Sequence, residues 1–253
     1  MLEVAGWGAS LGDLATPTDY ALRESVMQES ALFNLGVALF DSFVDDQDPR
    51  VAEVSVALSP DRLSARLVGS ELLCHWDAVA DSGTRAVVRL FDVALRGVRE
   101  RCDSDPIQLN ELSNLLTRMY HSELGNIDDP FAAKRLPVEF IGHLGAVSGC
   151  RRRLAMFEKL AIFLQRFDDW QDISDDFLAR APNSYLSHRR PVGVLASSQH
   201  ACAGLWLILR GSRYHSSLSD SLVSSMSETL AEARKLGSIV EDKLVLFLRQ
   251  LVS

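Results

Sequence analysis

Two groups of aspartates form the densest pattern in this chain that could do chemistry. The first closes FNLGVALFDSFVDDQD (Phe33 to Asp48), where Asp41, Asp45, Asp46 and Asp48 follow an apolar helical run. The second lies in QRFDDWQDISDD, with Gln165, Asp168, Asp169, Asp172, Asp175 and Asp176, again at the end of an apolar run. At about 100° per residue, positions four apart share a helix face. Asp41 and Asp45 therefore lie together, as do Asp168, Asp172 and Asp176. Like charges at that spacing destabilise an isolated helix. Such an end is either solvated or faces a cation, and a single acidic helix end reads as solvated surface. Two such ends, each following an oily face and one with the spacing QxxDDxxD, predict a pair that meets across a helical bundle and holds hard divalent cations. Magnesium takes oxygen ligands, keeps several waters, and bridges protein carboxylates to substrate phosphates.

The elements that must position these groups read as helices throughout. Start signals at Thr16 to Asp19 precede apolar residues at helical spacing through Leu32, Phe33, Val37 and Phe40, and Pro49 closes that helix. A second helix opens at Ser59 as a cap with Pro60 at its first position, and is read through SELLCHW. Further helical patterns are TRAVVRLFDVALRGVRE, PIQLNELSNLLTRMYHSEL, FAAKRLPVEFIGHLGAV, CRRRLAMFEKLAIFLQRFDDWQDISDDFLA and VGVLASSQHACAGLWLILR, then one long amphipathic stretch from Leu218 to Leu251. No period-2 strand, composition shift or internal repeat is visible. The reading is one all-α domain over residues 1–253, an antiparallel bundle of roughly eight helices, with residues 1–18 as an irregular N-terminal segment.

Composition narrows the function classes. Hydrophobic residues make up 47% of the 253, enough for a sizeable core. A net charge of −8 argues against a general nucleic-acid or anionic-membrane binder. Cys74, Cys102, Cys150 and Cys202 are far apart, form no CxxC pair, and suit a reducing compartment. The opening residues MLEVAGWGAS lack a signal-peptide pattern, and the longest apolar run, near GLWLIL, is too short to span a bilayer. The expectation is a cytoplasmic protein with no stable membrane insertion. The six histidines show no ExxH pairing, which argues against a di-iron bundle.

With both clusters in view, the chain resembles the class I isoprenoid synthases: trans-prenyl diphosphate synthases, squalene and phytoene synthases, and class I terpene synthases. DSFVD (Asp41 to Asp45) resembles the first aspartate-rich motif, DDxxD, with serine at its second position. QRFDDWQD resembles the second motif of the prenyl synthases, and the overlapping DISDD gives a DxxxD from Asp172 to Asp176. The resemblance covers residues 19 to 250. It implies a bundle around a central apolar cavity, Mg2+ as cofactor, and a prenyl diphosphate as substrate, with homodimer formation left open.

Carried over residue by residue, the resemblance implies Asp41, Asp45, Asp168 and Asp172 as the catalytic metal-binding set, extended by Asp46, Asp169 and Asp176. Gln165, Lys134, Arg189 and Arg190 are the candidate diphosphate contacts. Counting back along the aspartate faces gives Phe33, Gly36 and Val37, and Phe157, Ala161 and Leu164, as cavity walls; each is equally an ordinary core residue. Tyr120 and Glu123 either face that cavity or belong to an ordinary amphipathic helix, and Trp170 reads as packing. Chain-elongating relatives carry a basic segment before the first motif and an arginine pair after it. Here the first forty residues hold one basic residue, Arg23, and only Arg50 precedes Arg62 after the motif. The expectation is thus a terpene synthase ionising one C15 to C25 allylic diphosphate. C20 is favoured because Gly36 would leave a deep cavity floor. A chain-elongating or squalene/phytoene-like prenyltransferase and a non-catalytic subunit are the alternatives.

Overall fold

Apolar residues at helical spacing, with few β-branched runs between them, make helix the cheapest way to bury this chain's hydrophobic side chains. The computed structural model describes residues 2–16, 20–69, 81–101, 106–125, 129, 131–173, 176, 183–185 and 211–252. They are all-helical in architecture, with no strand among them. The α-helices are α1 (Leu2–Ala15), α2 (Tyr20–Asp45), α3 (Arg50–Ala57), α4 (Pro60–Val68) and α5 (Ser82–Arg101), then α6 (Pro106–Glu123), α7 (Ala132–Gly145), α8 (Leu154–Gln171), α9 (Gly211–Leu236) and α10 (Ser238–Val252). The helix read over VGVLASSQHACAGLWLILR, the continuation through SELLCHW, Asp175 and the pair Arg189 and Arg190 lie outside the described residues.

The N-terminal segment corrects the expectation of irregular chain. Residues 2–15 form α1, which lies along α2. Gly8 and Gly12 make this possible. A Cβ on Gly8 would stand 2.5 Å from the carbonyl oxygen of Ser30, and one on Gly12 would stand 2.9 Å from that of Val26. Glycine weakens a helix by about 1 kcal/mol relative to alanine, so the sequence reads as poor helix. Here the close backbone approach and the burial of Leu11 and Leu14 outweigh that cost.

Around this pair, α2 packs on α5, α7 on α8 and α6, and α8 on α9, about a common core of leucine, valine and phenylalanine. Phe33 is its centre: its ring stacks on Phe140 at 4.2 Å between centroids and meets Phe91 edge-on at 5.5 Å. Each such phenylalanine gains about 1.5–3 kcal/mol by leaving water. Two buried ion pairs fix how α5 sits, Arg66–Asp92 at 2.6 Å to α4 and Arg101–Glu29 to α2. Local chemistry sets the helix ends. Asp81 accepts the N–H of Thr84 at 2.9 Å and caps α5. The long C-terminal stretch breaks in two at Gly237, whose φ of +109° a side chain would resist. Gly149, at φ +89°, likewise bends the chain between α7 and α8, and Arg151–Arg153 then form a short 3-10 turn leading into α8.

Candidate functional site

Asp41 and Asp45 sit on the last two turns of α2, both exposed. The end of α6 brings Glu123 against them, α7 brings Lys134, and the end of α8 brings Asp168. Asp41 senses all four: it is hydrogen-bonded to Glu123 and lies within electrostatic reach of Asp45, Lys134 and Asp168. Asp41 of the first cluster and Asp168 of the second, distant in sequence, thus come within electrostatic reach of each other at the helix ends, the mouth of the candidate site.

The electrostatics of that mouth are unequal. Glu123 is pushed up to about 8, chiefly by burial, then by the charge of Asp41, its hydrogen bond to Asp41, and the charge of Asp45. At neutral pH it keeps its proton and donates it to Asp41. Asp41 is raised in turn, first by loss of water around its carboxylate and then by Asp45, while Glu123 and Lys134 pull it back. On the α8 side the neutraliser is an ammonium. Lys134 Nζ lies 2.5 Å from Asp168 and 3.3 Å from Asp169. Burial opposes its charge, but these two carboxylates outweigh burial and hold Lys134 above the usual lysine range.

The structure separates the aspartates of the second cluster. Asp169, expected at the metal, is fully buried. It accepts hydrogen bonds from the side-chain amide of Gln165 and, at 2.9 Å, from the backbone N–H of Ser184. Gln165, expected at a diphosphate, is itself buried and turned to Asp169. The physical reason lies in helix geometry: Asp169 is 100° round from Asp168 and faces the bundle. Asn183 fastens the chain beyond α8, donating to the carbonyl of Asp169 at 2.6 Å and to the carboxylate of Asp176 at 2.8 Å. Asp172 is exposed at the C-cap of α8, and Asp46 is exposed on the turn after α2.

Below the mouth lies a narrow cavity of about 20 Å3, lined by Val37, Phe40, Leu58, Leu63, Phe91, Leu116, Met119, Tyr120 and Glu123. That is room for about one water molecule. Of the six expected wall residues, Val37 lines it. Phe33, Phe157 and Ala161 are buried in the core, and Leu164 packs against it. Gly36 opens no deeper floor, because the Phe91 ring stands 3.0 Å from where its Cβ would be. The preference for a C20 tail loses its basis there. A wider groove of about 660 Å3 along the outer face of α5, with Arg85, Arg89 and Arg96 exposed, shares no residue with the acidic mouth.

For Tyr120 and Glu123 the sequence left two readings open, and both side chains line the cavity; the contact of Glu123 with Asp41 had no signal in the sequence. Asn183 carried no periodic or motif signal at all. Trp170 lies near Phe167, at 6.2 Å between ring centroids, and is a packing residue. Among the described residues no three acidic, histidine or cysteine side chains stand close enough to enclose a metal ion. The donor set nevertheless fits magnesium in kind: it is all carboxylate oxygen, and the Lys134 ammonium already stands as a cation between Asp168 and Asp169. Compared with family models, curated proteins and solved structures, the chain has no match. Among the described residues, no helix is long and apolar enough to cross a membrane.

Proposed function

We infer that the chain is a magnesium-dependent class I terpene synthase with a bundle of the isoprenoid-synthase type, acting on a C15 to C25 allylic diphosphate. One observation carries the reading: Asp41 on α2 lies within electrostatic reach of Asp168 on α8, with Lys134 in reach of both. Asp41, Asp45, Asp168, Asp172 and Asp176 would hold the metal. Magnesium, when bound, supplies the positive charge that makes diphosphate a leaving group. Lys134 adds a fixed cation for the same anion. Glu123 keeps Asp41 turned into the mouth through its proton. The apolar side chains of Val37, Phe40, Leu116 and Met119 would shield an allylic cation from water, once the cavity widens to admit a prenyl tail.

The narrowness of that cavity favours a second reading, a non-catalytic bundle that regulates a partner. Incubation with C10, C15, C20 and C25 diphosphates and magnesium, read by mass spectrometry and by diphosphate release, decides between them. The expected result is a hydrocarbon or alcohol plus inorganic diphosphate, lost on chelation. Labelled isopentenyl diphosphate should not enter the product; its incorporation into a longer prenyl diphosphate would assign a chain-elongating prenyltransferase instead. Diphosphate release from none of the four substrates would favour the non-catalytic bundle.

A further inference from the structure

The groove along α5 is opposite in charge to the chain as a whole. It is lined by Arg85, Arg89 and Arg96, all exposed, on a molecule whose net charge is −8. At about 100° per residue these positions fall within about 40° of one another, so the arginines form one strip along the helix. Ala86 and Val93, seven residues apart, form a second, apolar strip beside it. Asp92 also lines the groove, but it is buried and paired with Arg66 at 2.6 Å, so it leaves the strip positive. The next carboxylate of α5 is Glu100, one turn beyond Arg96. Like charges four apart oppose helix formation, and exposed side chains add nothing to the core that would offset the cost.

Geometry decides between occupants. Arg85 and Arg96 start about 16 Å apart along the helix axis, so the strip cannot close on one small anion. A second copy of this face, related by a two-fold axis, would set arginines against arginines. A nucleic-acid strand or an anionic bilayer runs past the groove onto a molecule of net negative charge, and phosphates gain nothing from Ala86 and Val93. An amphipathic helix matches both strips at once. We propose that this groove docks an acidic amphipathic helix of a partner protein. Its carboxylates, spaced four and seven residues apart, pair with Arg85, Arg89 and Arg96, and its apolar seam lies on Ala86 and Val93. The inference does not rest on the reading of the acidic mouth, with which the groove shares no residue.

The test is fluorescence anisotropy of the full chain with a labelled helical peptide of about 18 residues, long enough to pass all three arginines. The peptide carries glutamates at the matching spacing and leucines seven residues apart. Saturable binding is expected, weakening at least about fivefold as salt rises from about 0.05 M to about 0.3 M. Arg89→Glu and Arg96→Glu should each weaken it at least about fivefold with unchanged circular dichroism. Arg249→Glu, the same charge change at an exposed position of α10, should alter it less than about twofold. No saturation below about 1 mM, equal binding of a peptide with glutamine for every glutamate, or an equal loss in Arg249→Glu overturns the proposal. Tighter binding of labelled single-stranded DNA or of phosphatidylserine vesicles also overturns it, and assigns the strip to a phosphate backbone or a lipid surface.

Discussion

The ends of α2 and α8 show the same sequence feature, aspartates crowded after an oily helix face, and stabilise it in different ways. At α2 the carboxylates are exposed, and the neutral partner is a carboxylic acid: Glu123, pushed up to about 8, lends its proton to Asp41. At α8 the partner is the Lys134 ammonium, and the cluster is fastened further by Gln165, Asn183 and the N–H of Ser184. The first end is a loose, proton-dependent arrangement at the surface. The second is a braced one whose inner aspartate belongs to the fold. Acidic clusters that look alike in sequence can therefore divide their roles, one carboxylate holding structure while its neighbour faces solvent.

The sharpest way to break this comparison is to remove one aspartate from each end. Asp169→Ala leaves the Lys134 ammonium, the Gln165 amide and the Ser184 N–H without their shared acceptor, and should cost about 3 kcal/mol in urea unfolding. Asp45→Ala removes an exposed, repelled charge and should change stability by about 0.5 kcal/mol or less. Equal costs at the two sites would erase the distinction between a braced and a loose end.

A smaller effect sharpens the α2 side. Glu123 has a raised pKa, so the folded chain binds its proton more tightly than the unfolded chain does. Stability contributed by that proton is present at low pH and is lost as pH rises from the ordinary value of 4.5 through about 8. Glu123→Gln, which keeps a hydrogen-bond donor to Asp41 without a titratable proton, should flatten this decline. Above pH 8 its melting temperature should exceed the wild type's by about 3 °C. Thermal melts at closely spaced pH values measure this directly, and an unchanged slope would mean that Glu123 is ionised in the fold.

Much of the scaffold was legible from periodicity, because α2, α5, α6 and α8 bury continuous apolar faces and need little help from distant contacts. What failed was local. Glycines at positions 8 and 12 look like helix breakers until α2 arrives to use the space they leave. Gly237 ends a helix through positive φ, which an apolar pattern running straight past it does not reveal, whereas the break at Gly149 falls between the two patterns that stop at Val147 and restart at Cys150. At the site, the spacing of four set Asp168 apart from Asp169 by about 100°, but the burial of Asp169 depends on Gln165 and on Ser184, fifteen residues further along the chain. The cavity walls could not be read, since a packed core and a ligand cavity use the same side chains. Phe91 over Gly36 is the example.

The central claim is that the two acidic clusters act as one site. A double-mutant cycle tests it most directly: Asp41→Asn, Asp168→Asn and the pair, each measured by the thermal stabilisation that magnesium plus inorganic diphosphate confers. At ligand concentrations about a hundredfold above the dissociation constant, the wild type should gain about 2.7 kcal/mol. Each single variant should lose most of that gain, and the double variant should lose little more than either one. Independent losses that add within about 0.5 kcal/mol would contradict the claim, because they would place Asp41 and Asp168 in separate sites.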